Sequence, residues 1–340
     1  MLNNVIFFLF LWVIGIQAEE EVKSHLNLYI CDILATYPHI HEHKTRNNGY
    51  LDPSFVVNKY PFTQGLLFLN SSVLIESAGL YGGSFIRTLE FPSMKYIDHR
   101  LLFSEFWGEG AAILNNILYQ LTWRSGILIA YNTTNLSILK YYKIPFVGWG
   151  LTSDGTSRLW ATSGDSKLFE LSIPPLDSNY NLISIKRRID LNCMGQPLNN
   201  LNELEYVAET NTIWGNIFES SLIVEIDPET GNCKSLANLS SIYNPRKSSL
   251  LHHTDIFNDV LNGIAYHPIL ESYRNNSTFP SKKLPIFLVT GKRWPRMYVV
   301  QLKKINYNIQ NLNWQTLPQI QEFYQNPLIK RENYGNHFYS

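Results

Sequence analysis

Between positions 106 and 110 the chain reads Phe106-Trp107-Gly108-Glu109-Gly110, a carboxylate between two glycines directly after two aromatic rings. A carboxylate beside indole and phenyl faces loses water, and desolvation raises its pKa towards the range useful for proton transfer. Glycines on either side let the backbone bend sharply or approach another group closely. The plainer reading is a turn with a solvated Glu, which such a tripeptide often makes. Recurrence argues against it, because the same kind of segment opens four further stretches, at Gln64-Gly65-Leu66, Trp149-Gly150-Leu151, Asn202-Glu203-Leu204-Glu205-Tyr206 and Asn262-Gly263-Ile264-Ala265-Tyr266. Brought together, Gln64, Glu109, Trp149 and Asn202 would supply one carboxylate, two carboxamides and an indole. Trp107, Trp123 and Phe218 would add an apolar wall and Lys292 a cation, making a pocket for a small polar group. The same polar groups could instead satisfy buried backbone, and composition alone does not separate the two.

The elements needed to bring them together are legible in the spacing. After each opening come short β-rich runs, Ser72–Ser77, Ile117–Trp123, Arg158–Thr162, Thr212–Phe218 and Ile286–Thr290, and most copies carry a third run such as Ser84–Leu89 or Leu222–Ile226. Turn chemistry separates them at Asp154-Gly155, Gly164-Asp165 and Asp227-Pro228-Glu229-Thr230-Gly231. A repeat of roughly 40 to 60 residues holding about four short strands is the signature of a β-propeller blade. The expected fold is therefore all-β, a five-bladed β-propeller whose innermost strands carry the polar residues to the axis. The fifth copy lacks an obvious fourth strand, so Phe55-Val56-Val57 is expected to close the ring as an N-terminal strand. The expected organisation is a signal peptide over 1–18, a polar N-terminal arm over 19–50, the propeller over 51–303 and a tail over 304–340. Ser240–Val260 and His267–Leu284 break the period and read as surface insertions.

Seven ordered motifs resemble the plant and bacterial type of glutaminyl cyclase: Phe62-Thr63-Gln64-Gly65-Leu66, Glu76-Ser77-Ala78-Gly79-Leu80-Tyr81-Gly82, Gly108-Glu109-Gly110, Leu121-Thr122-Trp123, Gly148-Trp149-Gly150-Leu151, Leu201-Asn202-Glu203-Leu204-Glu205-Tyr206 and Val289-Thr290-Gly291-Lys292-Arg293-Trp294-Pro295. The resemblance runs from Val56 to about Leu302. It implies a five-bladed propeller that converts an N-terminal glutaminyl residue of peptides or proteins to pyroglutamyl and releases ammonia. It places the catalytic acid on Glu109 and pocket residues on Phe62, Gln64, Trp123, Trp149, Asn202 and Lys292. Trp107 stands where the family usually has Phe, and Phe218 where it usually has Trp, so a ring is kept at both. Catalysis would need no cofactor. The resemblance allows a structural metal on the axis without assigning ligands. A module that only binds peptides or glycans would need the same rings but no essential carboxylate. A calcium-dependent lactonase-like propeller would need converging Asp and Asn, where these openings supply carboxamides and tryptophans.

The remaining features bound the setting. Val5 to Ile16 is an almost unbroken apolar run, short for a bilayer span, and Ala18 suits signal-peptidase cleavage, so the chain is expected in the secretory pathway. Lys+Arg and Asp+Glu both total 28, which leaves no electrostatic footprint for nucleic acid or an anionic membrane, and a monomer is expected. Cys31, Cys193 and Cys233 cannot all pair within one chain; a Cys193–Cys233 bridge would leave Cys31 free or cross-linked elsewhere. Sequons for N-glycosylation occur at Asn70, Asn132, Asn135, Asn238, Asn275 and Asn276. His39, His41 and His43 would share one face of a strand and could ligate zinc or copper, but this polar lead-in reads as a solvated arm.

Overall fold

A computed structural model describes residues 26–40, 60–242, 258–274 and 284–305. The described chain is all-β and propeller-like. Strand β1 (Asn27–Pro38) is followed by three four-stranded antiparallel sheets, each in sequential order. The first holds β2 (Thr63–Asn70), β3 (Val73–Ala78), β4 (Phe85–Glu90) and β5 (Lys95–Leu101). The second holds β6 (Gly108–Leu114), β7 (Ile117–Thr122), β8 (Ile127–Asn132) and β9 (Ile138–Lys143), and the third β10 (Leu151–Ser153), β11 (Leu159–Thr162), β12 (Lys167–Ser172) and β13 (Ser184–Asp190). After a two-stranded hairpin, β14 (Asn192–Cys193) with β15 (Gln196–Pro197), come β16 (Leu201–Val207), β17 (Thr212–Ile217), β18 (Leu222–Ile226) and β19 (Cys233–Asn238), then β20 (Leu261–Tyr266), β21 (Ile286–Gly291) and β22 (Arg296–Lys304). These last seven and β1 form one eight-stranded sheet, because β1 pairs parallel with β19 and antiparallel with β22.

Local chemistry sets the strands and their turns. In the β6–β7 hairpin, Asn115 and Asn116 both take positive φ (51° and 60°), the two-residue turn whose twist matches its strands. Asp154 accepts hydrogen bonds from the amides of Thr156, Ser157 and Arg158 to shape the turn before β11. Burial then ranks the strands within each sheet. Thr63–Leu67 at the head of β2 is buried on both faces, whereas β5 has only exposed and half-buried residues and β13 buries Ile189 alone. First strands therefore lie inside and fourth strands outside. The apolar core lies between sheets: Leu67, Ile75 and Ile86 of the first pack against Ala111, Leu118 and Ile129 of the second. Leu66, Leu74 and Leu89 pack on the other side against Ala265, Leu288 and Val299. Inner strands touch in the order β2, β6, β10, β16, β20, with β20 again beside β2.

Three expectations change. The stretch read as a polar arm contains β1, nine of whose residues, Tyr29 to Ile33 and Ala35 to Pro38, are in register with β22 from Lys304 to Arg296. Its half-buried Leu34, Ala35 and Tyr37 pack against a core cluster, which a solvated arm could not do. Phe55-Val56-Val57, the strand expected there, lies outside the described residues, as do His41, His43, the signal segment and residues 306–340. His39 is 1% exposed rather than solvated. The described ends of both insertions also pack on the fold. Ile242 joins the core of the last two strand groups, and a 3-10 turn over Pro268–Tyr273 buries Leu270. The bridge between Cys193 and Cys233 is formed, tying the β14–β15 hairpin to the head of β19, and Cys31 is buried and free.

Candidate active site

Gln64, Glu109, Asn202 and Asn262 each occupy the second residue of an innermost strand, and Trp149 lies just ahead of β10. Close approach of these strands depends on glycine. Gly110 donates its N–H to Trp149 O (2.8 Å), and a Cβ added to it would sit 2.5 Å from Leu151 N. At Gly150 an added Cβ would fall 1.8 Å from Asn202 O. The glycines after Glu109 and Trp149 thus admit a neighbouring strand rather than a ligand.

The backbone at Glu109 is braced from within the sheets. Ser77 Oγ donates to Glu109 O, Gln120 Nε2 donates to Ser77 Oγ (2.7 Å), and Tyr131 Oη donates to Gln120 Oε1 (2.7 Å). Among the described residues the carboxylate accepts one hydrogen bond, from Gln64 Nε2 to Oε1 at 3.0 Å. Glu109 is 4% exposed, and burial pushes its pKa well above the ordinary 4.5, with the charge of Lys292 pulling partly the other way. Lys292 is also 4% exposed; burial lowers its pKa to about 8, against the opposing pull of Glu109 and Glu219. Burial thereby shifts acid and base in opposite directions, each away from its charged form.

The rings complete the enclosure. Lys292 Nζ lies 4.4 Å from the Phe218 ring centre and 5.1 Å from that of Phe62, in cation–π range of both. Phe62 meets Trp107 edge-on at 5.5 Å, and Trp107 meets Trp123 at 5.7 Å. On the other side Phe218 meets Trp149 at 5.7 Å. One continuous series therefore runs Trp123–Trp107–Phe62–Lys292–Phe218–Trp149. The retained rings at 107 and 218 are both part of it. Phe106 is not, because its ring packs against Phe103 and Tyr141. Two buried polar atoms here lack a protein partner, Asn202 Oδ1 and Trp107 Nε1. Asn202 is otherwise tied in through its carbonyl, which accepts from Thr162 Oγ1 (3.1 Å).

A family model described as glutamine cyclotransferase matches residues 30–302. The chain belongs to the glutamine cyclotransferase family. The match begins inside β1 and takes in all the strand groups. A glutaminyl-peptide cyclotransferase of Arabidopsis thaliana is 33% identical over 255 residues, spanning 73% of this chain and 71% of its own length. The crystal structure of Myxococcus xanthus glutaminyl cyclase aligns at TM-score 0.63 and 26% identity, covering 83% of this chain and 100% of that one.

Within this family member, several contacts escaped sequence reasoning. Asn262 donates Nδ2 to Thr63 O (2.9 Å) and to Gln64 Oε1 (3.0 Å). Its signal was present, since Leu261-Asn262-Gly263 repeats the pattern of Leu201-Asn202-Glu203. Tyr81, 52% exposed, lays an edge on Trp107 at 5.3 Å. Glu203, buried, and Glu205, half-buried, are carboxylates with another task. Glu203 accepts from Leu66 N and Ile264 N (3.1 and 2.7 Å) and Glu205 from Tyr266 N (2.7 Å), tying β16 to β2 and β20. Glu76, next to Ser77, accepts from Arg87 Nε, His39 Nε2 and Thr63 Oγ1 at 2.7, 2.8 and 2.7 Å. This network anchors the residue after β1 to the first sheet.

Proposed function

We propose that this protein is a glutaminyl-peptide cyclotransferase, converting the N-terminal glutamine of peptides or proteins to pyroglutamate with release of ammonia. The observation that carries the reading is Glu109, buried, held by Gln64, and placed in the field of a buried lysine among aromatic rings. The substrate's α-nitrogen attacks its own side-chain Cδ. A C–N bond forms, and Glu109 takes a proton from the attacking nitrogen. Collapse of the tetrahedral intermediate breaks the bond from Cδ to the amide nitrogen, which leaves as ammonia with the proton returned by Glu109. Such general acid–base help is worth about 10²- to 10⁴-fold. Lys292 neutralises the oxyanion, and Asn202 Oδ1 accepts from the substrate's amine or amide N–H, satisfying an otherwise orphaned oxygen. Phe62, Trp107, Trp123, Trp149 and Phe218 hold the flexible side chain folded for attack, an orientation effect.

The same reading extends to architecture and setting. The five strand groups are five blades of one ring, supported by the return of β20 to β2, and β1 supplies the fourth strand of the last blade. The chain acts as a monomer in the secretory pathway; the apolar leader and the Cys193–Cys233 bridge support an oxidising compartment. In this reading the proton transfers run through side chains, and an ion on the axis would serve stability. The test is incubation with a glutamine-initiated peptide, following ammonia and the mass of the product. An unchanged peptide would return the binding-module reading.

A further inference from the structure

Asn262 lies outside the set of groups assigned to the chemistry, yet it is fully buried beside Gln64. Its side chain has two uses within the protein, both through Nδ2: one hydrogen bond to Thr63 O and one to Gln64 Oε1. Its own Oδ1 is buried without a protein partner. Thr63 O is a backbone carbonyl and can only accept. The Asn262 atom facing it must therefore be the NH₂ group, and the Gln64 atom facing that same NH₂ must be the carbonyl oxygen. The other end of Gln64, which meets Glu109 Oε1 at 3.0 Å, is then necessarily a donor. One main-chain carbonyl thus sets the polarity of two amides in series.

We propose that Asn262 is a positioning residue for cyclisation, locking the Gln64 amide so that it presents N–H to the Glu109 carboxylate. An amide with no partner to fix it is free to turn its oxygen to Glu109 or to swing out of reach. Acceptor facing acceptor would disfavour the carboxylate form that must take the proton. The charged group acting on Glu109 is Lys292, and Lys292 in turn feels Glu219 and Arg293, so neither substitution below removes a charge that faces the site. The inference rests on the cyclotransferase reading above.

The test compares Asn262→Leu, which removes the donor, with the smaller Asn262→Ala, which removes it without adding bulk or charge. Both are combined with Gln64→Leu, and kcat/KM on a Gln-Ala dipeptide is measured across pH with a melting curve for each protein. Losing one hydrogen bond to a carboxylate should move the acid limb of the profile up by about one pH unit. At pH values below the acid limb it should lower kcat about tenfold, whereas KM changes little. In the Gln64→Leu background, where no amide remains to orient, the Asn262 changes should add almost nothing. If Asn262→Leu fails to fold, Asn262→Ala carries the same comparison. An unmoved acid limb in a folded variant, or full additivity with Gln64→Leu, overturns the proposal and leaves the cyclotransferase reading intact. An inert unaltered protein overturns both.

Discussion

Glu109→Gln isolates the proton shuttle from everything else the side chain does. The replacement keeps the length of Glu109 and an oxygen that can still accept from Gln64 Nε2, now 3.0 Å from Oε1. It removes the basicity. If the carboxylate carries the proton between the two nitrogens, kcat should fall by about 10²-fold or more with little change in KM. The structure adds two further expectations. Burial of Glu109 opposes its charge, so a neutral isostere relieves that opposition and the melting temperature should hold or rise. Lys292 loses the neighbour that holds its pKa up, while burial still pushes it down, so any residual activity should lose its alkaline limb earlier than in the unaltered protein. The assay is ammonia release from a Gln-initiated peptide between pH 5 and 10, beside calorimetry of each variant. A well-folded Glu109→Gln protein with full activity would refute the mechanism. A loss of activity matched by a large drop in melting temperature would refute the claim that the carboxylate is dispensable for folding.

The unaltered enzyme should show a bell-shaped dependence of kcat/KM on pH. The acid limb lies well above 4.5, because Glu109 must be ionised to act and burial raises its pKa; the alkaline limb lies near 8, where Lys292 loses its proton. Lys292→Met should abolish the alkaline limb. Glu76→Gln should cost about 3 kcal/mol or more of stability by stranding Arg87 and His39 in the interior, read from denaturant midpoints. Burial alone would raise the Glu76 pKa, but Arg87 and then His39 hold it below the ordinary 4.5, so its stabilisation is present above that pH and drains away below it. Replacing Cys193 and Cys233 by Ser opens a loop of 40 residues and should lower stability by about 4 kcal/mol, with kcat of the folded fraction unchanged. A chelator should leave the initial rate untouched and at most lower the melting temperature over time; immediate inactivation reversed by zinc would place catalysis on a metal.

The sequence by itself determined the repeat and the all-β class. Turn residues and strand-length apolar runs are local properties, and the segment openings recur at a regular spacing along the chain. Glu109, Lys292 and the rings were expected as site residues because their motifs, in order along the chain, resemble those of the family. What escaped depends on closing the chain upon itself. Asn262 meets Gln64 across 198 residues and Glu203 meets Leu66 across 137, pairings that exist only once β20 and β16 are brought to β2. The strand next to β22 shows the same limit. Phe55-Val56-Val57 and Asn27–Pro38 are both β-rich, and only the register with Arg296–Lys304 selects the latter. His39 reads as solvated from its polar neighbours, yet it is buried because Glu76 and Trp294, far away in sequence, supply partners for its two nitrogens. Cysteine pairing follows the same rule, since composition permits any two of three and the 5.0 Å Cα separation of Cys193 and Cys233 decides. Burial and charge environment are sums over neighbours, and those neighbours are chosen by the fold; that is why the types of residue at the site were readable beforehand and their protonation was not.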